Sequence, residues 1–166
     1  MPIIYLALGT NLGEREANLH EALRKLPPSV EVVATSRLYE TVPMHLIDQP
    51  NFLNMAIKAQ TVLSPTDLLA YLQNMEKEIG REKTVRYGPR KIDLDILFYD
   101  DLVVDLPELQ IPHALLTVRG FVLYPMLDIA PDLRHPKTQQ TIHELVTQLP
   151  AEAGILQVRD FILHFI

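Results

Sequence analysis

The chain has 166 residues, 48% hydrophobic and 22% charged, with a formal net charge of −6 and no cysteine. This length and composition suit one well-buried domain over residues 1–166 and exclude a disordered chain, while the missing cysteines exclude disulfides, thiol nucleophiles and cysteine zinc sites. The acidic balance disfavours a general nucleic-acid surface, no apolar run reaches the roughly 20 residues of a membrane span, and the lack of thiols and of an export leader fits a cytoplasmic protein.

In chain order, the apolar stretch Ile3 to Gly9 predicts a strand. A helix follows from Glu14 to Leu26, with Leu19, Leu23 and Leu26 at helical spacing, and Pro27 and Pro28 stop it. Between them "GTNLG" reads as a strand-to-helix turn. Neither it nor "GREKT" fits the phosphate-cradling pattern G-x-x-x-x-G-K-[ST]. Two strands are expected near Val32 to Thr41 and Phe52 to Thr61, joined by the long loop "VPMHLIDQPN". A second helix should start at "SPTD", which offers a cap, a proline at the first helical position and an acid in the first turn. It should end at Gly80, with Leu68, Leu72, Met75 and Ile79 as its apolar stripe. A strand from Ile92 to Tyr99 completes the order strand, helix, strand, strand, helix, strand. That order is the ferredoxin-like βαββαβ sandwich, an α+β fold in which helices cover one face of an antiparallel sheet and the other is free to carry a site. Beyond Tyr99 a C-terminal extension should hold short strands and helices near Arg119 to Leu127 and Thr141 to Leu149. Residues 151–166 are left unassigned, either an edge strand or a contact between copies.

Chemistry concentrates in "RYGPRKIDLDILF", residues 86–98. From Arg81 to Lys91 five basic residues stand against one acid, a local charge of +4 in a chain of −6. Strand alternation sends Ile92, Leu94, Ile96 and Phe98 to one face and Asp93, Asp95 and Leu97 to the other. The two aspartate Cα atoms then lie roughly 6.5 to 7 Å apart. A wet strand face would explain the pair as simply as an ion would. Hard carboxylate oxygens without Cys or His beside them suit magnesium, which shares its other ligands with water and phosphate, and arginine forks pair with phosphate oxygens. Alternation also puts Phe52 and Asn54 opposite Leu53, Met55 and Ile57, where a ring and an amide can stack on a flat heterocycle and bond its edge, although a ring partly covered by the long loop would explain Phe52 as simply. Gln73 and Glu76 share a helix face that either points to the basic loop or is ordinary surface polarity. His113 sits in a loop shortly before Arg119 and Phe121, and His45, in the long loop, has no role that spacing identifies.

With these residues in view, "YGPRKIDLDIL" resembles the signature of the 6-hydroxymethyl-7,8-dihydropterin pyrophosphokinase family. "LALGTNLG", "YETVP", "DQPNFLNMA", "LQNMEKEIGR", "IPH" and "RGFVLYPMLDIAPDL" follow in the family's order, so the resemblance spans about residues 3–134. It implies a ferredoxin-like fold and transfer of pyrophosphate from ATP to the pterin hydroxymethyl group, releasing AMP, in folate biosynthesis. Asp93 and Asp95 match holders of two Mg2+ ions, and Arg81 and Arg90 match basic residues that assist transfer. Gln73, Lys83, Arg86, Ile96, His113 and Arg119 match ATP-side positions. Thr41, Pro43, Phe52, Asn54, Tyr87 and Phe121 match the pterin side, Phe52 standing for a familiar tyrosine and Tyr87 for a frequent tryptophan. The loop between Arg81 and Arg86 is one residue shorter than in familiar members, and Ala114 replaces an aromatic. The implied partners are ATP and the pterin, with neither nucleic acid nor membrane, and the product would pass to dihydropteroate synthase. Two rival readings remain at this point: a noncatalytic binding module on the same fold, and a D-x-D metal enzyme acting on nucleic acid.

Overall fold

The computed structural model describes residues 1–43, 48–80, 89–150 and 154–162. Arg81, Lys83, Arg86 and Tyr87, named above, lie outside the described residues, as does His45. The core follows the expected order: β1 (Ile3–Thr10), α1 (Arg15–Lys25), β2 (Val30–Thr35), β3 (Leu38–Thr41), β4 (Phe52–Thr61), α2 (Pro65–Ile79) and β5 (Asp93–Tyr99). The sheet runs β5-β1-β4-β3, with β2 also on β4, and all these pairings are antiparallel.

The single strand expected from Val32 to Thr41 is two. Ser36 divides them: its backbone N–H donates to the Ala56 carbonyl, while its hydroxyl accepts the Ala56 N–H at 2.9 Å. A side chain thus replaces one rung of the ladder, and β2 and β3 occupy successive stretches of the same edge of β4. The start and stop of α2 agree with the sequence. Ser64 Oγ accepts the Asp67 N–H, Pro65 opens the helix, and Gly80 closes it at φ 101°, a left-handed conformation that a Cβ would strain.

Alternation along β1, β4 and β5 divides the apolar residues into two cores. Ile4, Leu6 and Leu8, with Leu53, Met55 and Ile57 and with Leu94 and Ile96, meet Leu19 and Leu23 of α1 and Leu68, Leu72 and Met75 of α2. Each such side chain, fully buried, is worth about 1.5–3 kcal/mol. The opposite face is not wholly free, as expected above. There Tyr5, Ala56, Leu97 and Phe98 pack under α3 (Gly120–Ile129) and α4 (Ile142–Thr147). Phe98 was expected on the α1/α2 side. Leu6 pairs with Ile96 and Tyr5 with Phe98, leaving Leu97 as an extra residue on β5. This bulge reverses the alternation, so Phe98 joins Leu97 in the second core and meets Tyr5 edge to face at 6.0 Å.

Between β5 and α3 the chain forms the hairpin β6 (Val104–Leu106) and β7 (Leu109–Ile111), then a short 3-10 turn at Leu116–Val118. The tail contributes β8 (Ile155–Arg159), which pairs antiparallel with β3 and adds a strand to that end of the sheet. The edge-strand alternative for the tail therefore holds for these residues. No helix among the described residues is long and apolar enough to cross a membrane.

A polar knot fastens α3 to the sheet. Asp128 accepts hydrogen bonds from the Arg37 backbone N–H and guanidinium and from the Tyr39 hydroxyl at 2.9 Å. Burial first, and then the bond to Asp128, push the Tyr39 phenol up to about 12 from its ordinary 10.0. Because the folded value is raised, the stabilisation is complete below pH 10 and is lost as pH rises from 10 towards 12. Tyr39→Phe should cost about 1 kcal/mol at neutral pH and flatten the loss of stability over that alkaline window, as read by urea melts at stepped pH.

Candidate active site

The ends of β1, β4 and β5 open into a cleft of about 520 Å³ on the face that α3 leaves uncovered. Thr41, Phe52, Asn54, Gln73, Arg90, Asp93, Asp95, His113, Arg119 and Phe121 all line it. A smaller adjoining hollow of about 250 Å³ lies between β5 and the β6–β7 hairpin. It is lined by Ile96, Leu109 and Gln110, and shares Leu69, Leu94, Asp95, Glu108 and His113 with the cleft. Ile96 belongs to this hollow alone, and buried Pro43 lines neither space.

One end of the cleft is aromatic. Phe52, at the start of β4, and Phe121, in the first turn of α3, are both half-buried on its wall. The Arg119 guanidinium carbon lies 5.4 Å from the Phe121 ring centre, within cation–π range. Asn54, which lines the same cleft, is buried, and its Nδ2 donates to Thr41 Oγ1 at 2.7 Å. That bond orients the amide. Gly9, paired with Asn54 in the sheet, leaves room for it: a Cβ at residue 9 would stand 2.8 Å from Asn54 Oδ1. Such an aromatic slot with an oriented amide fits a flat heterocycle bearing donors and acceptors on its edge.

The other end is ionic. Asp93 and Asp95 precede the bulge in β5, share the open face and both border the cleft, as alternation predicts. Between them Leu94 points to the helical core, and its N–H donates to Glu76 Oε2 at 3.0 Å. Glu76 is therefore not on an exposed helix face. It is 4% exposed, pinned beneath the strand that carries the aspartates, while Gln73, one turn earlier, is exposed at the rim. Arg90 stands on the segment entering β5.

The bulge also serves His113, whose backbone N–H donates to the Leu97 carbonyl at 3.1 Å. Its Nδ1 accepts the Leu115 N–H at 3.2 Å, so the neutral ring keeps its proton on Nε2. Burial pushes the imidazole below its ordinary value, Arg119 adds to this and Asp93 opposes it.

Sequence reasoning missed Gly9, Asn11, Gln49 and Glu108 at this site and misjudged the setting of Glu76. "GTNLG" carried the signal for Gly9 and Asn11, because a glycine at a strand end invites a close approach. As to a metal, no group of three or more His, Cys, Asp or Glu side chains that could hold an ion occurs among the described residues. Two hard carboxylates fit a cation that completes its shell with water and phosphate oxygens, and do not make a closed protein cage.

This geometry can be set beside known proteins. The family model described as 7,8-dihydro-6-hydroxymethylpterin-pyrophosphokinase matches residues 5–131. The chain is 43% identical over 151 residues to the 2-amino-4-hydroxy-6-hydroxymethyldihydropteridine pyrophosphokinase of Pseudomonas aeruginosa, covering 90% of this chain and 93% of that protein. With its namesake from Aquifex aeolicus it is 40% identical over 144 residues, or 87% and 90% of the two chains. It is 45% identical over 152 residues to the folic acid synthesis protein fol1 of Schizosaccharomyces pombe, covering 90% of this chain and 21% of that protein. The chain thus spans about a fifth of the length of that relative. A crystal structure of Plasmodium falciparum HPPK-DHPS with pteroate has the same fold, with a TM-score of 0.74 at 19% identity over 89% of this chain and 42% of that one. The match across most of the sequence, the near full-length kinship with two bacterial proteins and the shared fold lead to one conclusion: the chain belongs to the 7,8-dihydro-6-hydroxymethylpterin-pyrophosphokinase family.

Proposed function

We propose that this chain, acting as one domain, transfers pyrophosphate from ATP to the hydroxymethyl group of 6-hydroxymethyl-7,8-dihydropterin, releasing AMP. The observation that carries this reading is that one cleft has an aromatic, amide-bearing end and an ionic end. A noncatalytic pterin binder has no need of the second. Kinship with bacterial proteins named for this pyrophosphokinase supports it further.

In this reading the pterin lies between Phe52 and Phe121, with Asn54 bonding its edge and Thr41 holding that amide in register. The nucleoside occupies the hollow beside Ile96, and its phosphates run past His113 and Arg119 towards the carboxylates. Asp93 and Asp95 would hold two Mg2+ ions, which when bound neutralise phosphate charge and orient the β-phosphorus. The hydroxymethyl oxygen attacks that phosphorus, the bond from it to the bridging oxygen of AMP breaks, and the hydroxyl proton is lost to solvent. Arg90 stabilises charge gathering on the transferred group, and the neutral His113 Nε2–H can donate to a phosphate oxygen. In the same reading Arg81, Lys83, Arg86 and Tyr87, in the sequence that precedes Arg90, complete the phosphate and pterin contacts.

Incubation with Mg2+, ATP and the pterin, with pterin-free and metal-free controls, tests the reading. AMP should form only in the complete mixture; ADP as the product, or no turnover by folded protein, overturns it. Asp95→Ala should lower kcat by about a hundredfold or more with the melting temperature nearly unchanged, and near-normal turnover would remove the metal role. Arg90→Ala should slow turnover more than it raises the KM for pterin. Gly9→Ala should raise that KM about tenfold by displacing Asn54, the equivalent of one lost hydrogen bond of about 1.4 kcal/mol, while KM for ATP stays within twofold.

A further inference from the structure

Asn11 is 1% exposed and lies just past the end of β1, beneath the cleft rather than on its wall. Its side chain is fully engaged. Nδ2 donates to Gln49 Oε1 and to the Pro50 carbonyl, each at 2.9 Å, and Oδ1 accepts the Arg90 N–H at 2.7 Å. Its own backbone N–H donates to the Arg90 carbonyl at 2.9 Å. An asparagine in such a turn often serves a left-handed backbone, but among the described residues the positive-φ positions outside glycine are Asp100 and Gln139. The side chain is therefore what residue 11 contributes.

The segments it joins flank both halves of the cleft. Gln49 and Pro50 lead into Phe52, while Arg90 leads into Asp93. Each is a loop with little regular pairing of its own, so the amide supplies anchors that a ladder would otherwise provide. We propose that Asn11 is a positioning residue that sets the aromatic wall and the phosphate-side wall at a fixed separation, and so aligns the acceptor hydroxyl with the donor phosphorus. The inference rests on the pyrophosphoryl-transfer reading above.

The two arms separate chemically. Asn11→Asp keeps an oxygen to accept the Arg90 N–H but has no donor for the Pro50 carbonyl. Asn11→Ala loses both arms. Steady-state kinetics on the full chain, with melting curves to establish the folded fraction and hydrogen exchange at residues 90–92, reads the difference. Asn11→Asp should keep kcat within about threefold and the exchange of 90–92 unchanged while KM for pterin rises about tenfold, the size of one hydrogen bond. Asn11→Ala should raise the pterin KM, lower kcat at least tenfold and speed exchange at 90–92. If the alanine variant does not fold, the divided response of the aspartate variant, referred to its folded fraction, decides alone. Wild-type kcat and KM in the folded variants, or losses that only track the unfolded fraction, overturn the proposal. A wild-type chain that forms no AMP overturns the functional reading instead, and is recognised before any variant is compared.

Discussion

Paired side chains on neighbouring strands share a face, and in β1, β4 and β5 this constraint assigns the contacts of both faces of the sheet at once. Leu8, Leu53 and Leu94 face the helices; Gly9, Asn54, Asp93 and Asp95 face the cleft. A shift of one residue in any of the three would bury a polar group and expose an apolar one, so the same pairing that fills the core also fixes the chemistry. The core of Leu, Ile and Met side chains resists such a slip, and this resistance is what holds two carboxylates on one side without a closed ring of ligands around them.

That logic explains how much was legible. The α2 cap, the Gly80 stop and the limits of β4 came from local rules, and the structure agrees. Alternation placed Phe52, Asn54, Asp93 and Asp95 on the correct face for the same reason. The failures have a common origin in features that need a distant partner. Ser36 divides a strand because Ala56 lies opposite it, Leu97 bulges because β1 skips it, and Glu76 is buried because Leu94 presents an N–H. A helix face of Gln73 and Glu76 looks uniform in sequence, yet one side chain is exposed and the other lies under a strand. Asn11 was the least legible, since its turn is compatible with many residues and its three partners lie 38, 39 and 79 positions away.

The cleft divides its labour between rigid and local supports. Asp93 and Asp95 stand on a strand, and Asn54 is held by Thr41 from the adjoining one, so the groups that must be most accurately aimed are mounted on the sheet. Phe121 and Arg119 come from the start of α3, whose far end is fastened to the sheet by Asp128. The knot around Asp128 is thus connected to the aromatic wall through one helix, although Arg37, Tyr39 and Asp128 do not themselves line the cleft.

The bulge at Leu97 gives β5 two halves of opposite parity. Before it, odd-numbered residues face the cleft; after it, Phe98 takes the second core and Tyr99 returns to the first. The carbonyl of the extra residue, Leu97, also receives the backbone N–H of His113. A strand with a parity change works as a phase adapter, allowing the sheet to satisfy α3 at one end and the acids at the other. For anyone grafting this site onto another scaffold, copying the two aspartates would not be enough. The odd-length interruption that follows them sets where the next loop can return, and the position of the imidazole is written into it.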